Sequence, residues 1–126
     1  MHFKALWPLT KVANRGFRGY PIATVAFYGP DDRTASKVAV GILPSEGAEV
    51  GALERWFSAG QDVRLDAGIT SAIQQFINAN AAKSVLMTEG ILGCPHEEGV
   101  DYPLGTACPE CPFWEERDRW SDILDR

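Results

Sequence analysis

The apolar positions of this chain fall into short runs with readable periods. Ile22 to Tyr28 is a run of β-branched and aromatic residues, and Lys37 to Leu43 places Val38, Val40 and Ile42 on one side. Strand side chains repeat every second residue, so both stretches predict strands with one face turned to a core. Gly29-Pro30-Asp31-Asp32 between them is turn chemistry, and the pair predicts an antiparallel hairpin. From Ala48 to Phe57 the spacing changes. Val50, Leu53, Trp56 and Phe57 recur at helical intervals, which predicts a short helix closed near Gly60. Asp62 to Leu65 reads as a linker or a brief strand.

Asp66 is a candidate N-cap. Ile69, Ile73, Phe76 and Ile77 follow at i, i+4, i+7 and i+8, predicting an amphipathic helix to about Ala81. Thr70, Ser71, Gln74, Gln75 and Asn78 form its expected solvent face. Ser84 to Met87 reads as a third strand. Residues 1–20 are punctuated by Pro8, Gly16 and Gly19, with Pro21 just beyond, and are expected to be irregular. After Pro112, Phe113, Trp120 and Leu124 share a helical face with the stem of Arg117. Glu115/Arg119 and Asp122/Arg126 are i,i+4 pairs of favourable polarity, so a last helix is expected there.

The chain has 126 residues, which bounds it to one domain by length, and its 45% apolar content is that of a globular protein. The net charge is −5, so a nucleic-acid partner is not expected from the total. The charge is uneven, however. Residues 1–30 carry Lys4, Lys11, Arg15 and Arg18 and no acid, whereas residues 97–126 carry nine acids against three arginines. Arg15, Phe17, Arg18 and Tyr20 interleave cations with aromatics, a pattern that can stack on single-stranded nucleic acid. The plainer reading is an Arg/aromatic loop packed on the domain. No apolar run approaches the length of a membrane span, and the N-terminus has no apolar signal region.

Composition changes the picture most at the cysteines. All three lie between residues 94 and 111, in the order Cys94-x-His96, eleven residues, Cys108-x-x-Cys111. Two short chelating pairs joined by a loop are what a tetrahedral zinc ion needs, and three thiolates with one imidazole complete a closed site. An odd cysteine count at metal-like spacing suits a reducing cytoplasm better than secretion. Residues 88–112 hold four Gly and four Pro and few large apolar side chains, so bound metal is expected to supply their folding free energy. Tyr102, Phe113 and Trp114 are expected to pack around the loop or to form a recognition patch. Glu97 and Glu98 are expected to be solvated or to hold the free ring nitrogen of His96.

The step Cys108-Pro109-Glu110-Cys111 resembles the zinc knuckle of zinc-ribbon and rubredoxin-like proteins. The resemblance covers residues 94–111 only. It departs at Pro112, where the knuckle usually has Gly, so the N–H after Cys111 is missing as a donor to sulfur. It implies a site type and not an activity. Two other uses of the same ligands compete. A 2Fe-2S cluster would take Cys111 in place of the second His of the Rieske pattern. His96-Glu97-Glu98 with Cys108 and Cys111 also resembles the signature of zinc nucleobase deaminases. That likeness departs in three ways: residue 107 is Ala rather than Pro, the gap is short, and Cys94 offers a fourth ligand where a water would sit.

The sequence therefore predicts an α+β fold with a small antiparallel sheet, two or three helices, and a zinc-binding loop followed by a helix. Residues 1–93 form the core with its basic segment, and residues 94–126 the zinc module, in one compact unit. The expected role is binding an unidentified protein partner, or regulation, rather than catalysis.

Overall fold

The computed structural model describes residues 3–97, 99–106 and 108–114. A 3-10 turn, Lys4–Leu6, leads into α1 (Trp7–Ala13). Strands β1 (Ile22–Tyr28), β2 (Lys37–Leu43) and β3 (Leu53–Phe57) follow, then a 3-10 turn at Val63–Leu65. Helix α2 (Ala67–Ala79), β4 (Ser84–Ile91) and a 3-10 turn at Pro112–Trp114 complete the order. The α+β class holds, but the sheet is mixed. Its strand order is β3-β2-β1-β4, with β4 parallel to β1 and the other pairs antiparallel. After β3, α2 carries the chain across the sheet, so β4 arrives in the same direction as β1.

The hairpin forms as its alternation predicts. Ile22 pairs with Leu43 and Tyr28 with Lys37. Ala23, Val25 and Phe27 of β1, with Val38, Val40 and Ile42 of β2, are buried on one face. Leu6, Leu9, Val63, Ile73 and Ile77 cover that face. Asp66 caps α2 by accepting the Ile69 N–H at 3.0 Å, which meets one of the four amides a helix start leaves unpaired. Thr70 departs from its expected solvent face and is buried.

Two expectations are corrected. Residues 48–57 do not form a helix: Leu53–Phe57 is an edge strand paired with β2. Trp56 packs edge-to-face on Phe76 of α2 at 5.9 Å, while Leu53, Arg55 and Phe57 pair with Gly41, Ala39 and Lys37, towards the opposite face. Gly41 has no side chain because Val50 lies over it; an added Cβ would sit 2.9 Å from Val50 Cγ1. Residues 1–20 are not irregular throughout. Pro8 lies in the first turn of α1, where its missing N–H costs nothing, and Leu6 and Leu9 enter the core. The helix expected after Trp114 lies outside the described residues.

Candidate metal centre

Building the site starts at one glycine. Gly29 ends β1, and an added Cβ would fall 1.9 Å from the carbonyl oxygen of Thr34, so no side chain fits. Its N–H donates to Gly93 O at 2.8 Å. Its carbonyl accepts the Trp114 indole N–H, also at 2.8 Å. Gly93 immediately precedes Cys94, and Trp114 lies three residues past Cys111. Both ends of the loop that carries the candidate ligands are therefore tied to the residue that follows β1.

Two further struts come from strands. Lys37 is buried, and its ammonium donates to Pro95 O at 2.9 Å, between the first two candidate ligands. Burial pulls its pKa below the usual lysine value, and the carboxylate of Glu97 works against that. Arg55 of β3 binds Glu97 at 2.7 Å. Within the loop, Gly99 donates to Tyr102 O at 2.8 Å and Glu97 donates to Asp101 Oδ2 at 2.7 Å.

These ties bring Cys94, His96, Cys108 and Cys111 together, with one ligand atom from each lying within 4.8 Å of all the others. His96 Nδ1 is 3.3 Å from the sulfurs of Cys94 and Cys108 and 3.5 Å from that of Cys111. A tetrahedral zinc ion with Zn–S of about 2.3 Å and Zn–N of about 2.0–2.1 Å separates nitrogen from sulfur by about 3.6 Å. The four donors thus stand almost where such an ion would hold them. The other ring nitrogen, Nε2, faces Glu110 Oε2 at 3.1 Å. That contact fixes which nitrogen is left for a metal. The amide of His96 donates to the Cys94 sulfur at 3.3 Å, a knuckle-type bond.

The cluster is unfavourable without a cation. Burial raises the Cys94 thiol; hydrogen bonds from the His96 amide and with Cys111 oppose it without cancelling it, and the Cys108 sulfur adds a lesser raising effect. Burial also raises the Cys111 thiol strongly, with Cys94 and Cys108 adding to the effect. Three sulfurs at contact distance cannot all ionise unless a positive charge sits among them. Each is a free cysteine. The geometry and the charge problem both point to a metal-ion site.

The remaining sequence candidates separate. Glu97 does not face His96: it is taken by Arg55 and lies 3.9 Å from Lys37, and Glu110 holds the ring instead. Glu98 lies outside the described residues. Tyr102 is half-buried in the loop, and Phe113 packs edge-to-face on Trp114 at 4.9 Å. The basic segment is at the other end of the sheet. The Arg18 N–H donates to Ser84 Oγ at 2.7 Å, beside the first residues of β1 and β4. Seven strand residues separate it from Gly29, about 20 Å at the rise of a strand. Arg15, Phe17 and Arg18 are exposed, and Phe17 meets Tyr20 edge-to-face at 5.5 Å. Sequence reasoning missed Gly29, Lys37 and Arg55 as supports of the loop. Only the Gly-Pro turn hinted at the first; the other two needed the strand pairing. Comparison with family models, with characterised proteins and with solved structures gives no match.

Proposed function

We propose that the loop binds a single Zn2+ through Cys94, His96, Cys108 and Cys111 in a closed structural site, and that the stapled loop is a partner-binding or regulatory element. The observation that carries the reading is the set of three near-equal sulfur-to-nitrogen distances converging on His96 Nδ1. Four protein donors fill the coordination of zinc and leave no position for a water, which favours structure over catalysis. A binuclear iron–sulfur cluster would spread its ligands over two irons, whereas these donors surround one point. Soft thiolates with one imidazole suit zinc, and reduced thiols suit a cytoplasmic setting.

The partner role is supported by what the loop presents. Val100 and Leu104, between the two ligand pairs, are 76% and 78% exposed. A loop ordered by metal can hold such apolar side chains in water in a fixed arrangement. Elemental analysis of freshly purified, reduced protein tests the metal. One zinc per chain is expected. No metal, or visible absorption with bound iron, would overturn the reading. For the partner, Val100→Ser with Leu104→Ser should abolish capture of a partner by the intact protein while zinc content stays unchanged.

A further inference from the structure

The first residue of β2 carries a charge that the sheet by itself does not answer. Lys37 is 4% exposed. Tyr28 of β1 and Phe57 of β3 are its cross-strand partners, and its ammonium lies 5.4 and 5.7 Å from the centres of their rings. It donates to Pro95 O at 2.9 Å. Glu97 stands 3.9 Å away, but that carboxylate is already answered by Arg55 at 2.7 Å. A buried charge without a full counter-charge is costly. Two ring faces and a carbonyl offer only partial negative charge.

The metal loop has the opposite excess, and Lys37 meets it at the peptide between Cys94 and His96. Three thiolates and a neutral imidazole around a divalent ion leave a net negative charge. Glu110, against the far ring nitrogen of His96, adds to that charge, but its side chain is 73% exposed and water screens it. Burial, helped by Arg55, favours the neutral amine of Lys37, while Glu97, Asp101 and the Cys94 sulfur favour the ammonium. Resting on the metal reading above, we propose that Lys37 is the charge partner of the metal centre: a positioning residue whose ammonium offsets the thiolates and sets how firmly the loop holds a divalent ion. Glu97 competes with the thiolates for the same ammonium.

The test is the Zn2+ affinity of the full chain, measured by competition with a chelator, together with the absorption spectrum of the Co2+-loaded protein. Lys37→Met and Lys37→Gln should each weaken Zn2+ binding by about 10–100-fold, the usual loss when a group that supports metal ligands is removed. Gln keeps a donor for Pro95 O but no charge, so it separates the charge from the hydrogen bond. Lys37→Arg should restore the affinity. In the cobalt protein, the sulfur-to-metal charge-transfer band should move to longer wavelength in the Met and Gln variants, where the thiolates lose a neighbouring cation, and return in Lys37→Arg. Protected β1 and β2 amides in hydrogen exchange identify variants whose sheet is intact. Glu97→Gln changes a partly exposed loop residue and removes the competing carboxylate, so it should not lower affinity. Wild-type affinity in Lys37→Gln, a loss that persists in Lys37→Arg, an unmoved band, or weaker binding in Glu97→Gln would overturn the proposal. Failure of the wild-type chain to take up either ion would overturn the metal reading as well, which sets that outcome apart from the others.

Discussion

The β1–β2 hairpin and the Cys94–Cys111 loop lie against one another, tied through Gly29 and Lys37, yet different forces order them. In the hairpin, Val25, Phe27, Val38 and Val40 are at most 2% exposed and seven residue pairs run in register. Burial of apolar surface and a paired backbone account for its order. In the loop, Val100 and Leu104 face water, and Cys108 and Cys111 are its buried apolar side chains. Two segments in contact can thus differ in what their folding depends on. The hairpin is held by apolar packing with the helices and turns that cover it, whereas order in the loop is expected to depend on a bound metal and on reduced, deprotonated sulfur.

The widest separation of the two should follow loss of a ligand. Cys111→Ser, or removal of metal by a chelator, should release the amides of Gly99 and Asp101 to rapid hydrogen exchange while those of β1 and β2 stay protected. Apparent zinc-binding free energies in small zinc-dependent modules are about 10–16 kcal/mol, so little loop order should survive. The reverse experiment is Phe27→Ala. It should cost about 3–5 kcal/mol of global stability, read in denaturant, and carry both regions with it.

Acid should part them next. Metal binding requires deprotonated thiols and a neutral imidazole, and burial has raised Cys94 and Cys111. A metal ion would have to displace those protons, so metal affinity is expected to rise with pH and to be lost as pH falls. The core responds at lower pH. Burial alone would raise Asp62, but hydrogen bonds from Arg64 and from the Ala35 and Arg64 amides outweigh it, and its folded pKa lies below the ordinary 3.8. Its stabilisation is therefore present above the unfolded value and lost as pH falls through the folded one. The loop should open in mild acid, before any loss through Asp62. Asp62→Ala, which strands the buried Arg64, should cost about 3–5 kcal/mol at neutral pH without changing zinc content.

Smaller effects test the struts. Trp114→Phe removes the indole donor to Gly29 and should cost about 1 kcal/mol, visible as faster exchange near the second ligand pair. Arg55→Ala breaks a pair whose side chains are 36% and 39% exposed. Such a pair contributes about 0–1 kcal/mol and is screened by salt, so zinc affinity should change little.

How much of this was legible in sequence follows the range of the forces. The hairpin and α2 were readable because alternation and the Asp66 cap are local. The cluster of Cys94, His96, Cys108 and Cys111 was readable because its close pairs are local in sequence. Residues 50–57 misled because Val50, Leu53, Trp56 and Phe57 satisfy a helical period as well as a strand that uses both faces. Only pairing with Lys37, Ala39 and Gly41 decides between them. Pro8 was read as a breaker, although a helix start accepts it. The parallel arrival of β4, the Glu110–His96 contact and the bidentate Arg64–Asp62 pair depend on where distant segments meet, which no local period records.

X-ray absorption at the zinc edge of the purified protein bears most directly on the central claim. One nitrogen at about 2.0–2.1 Å and three sulfurs at about 2.3 Å around a single zinc are expected. Fewer sulfurs with an oxygen shell, or a second metal at short range, would contradict a closed site built from Cys94, His96, Cys108 and Cys111.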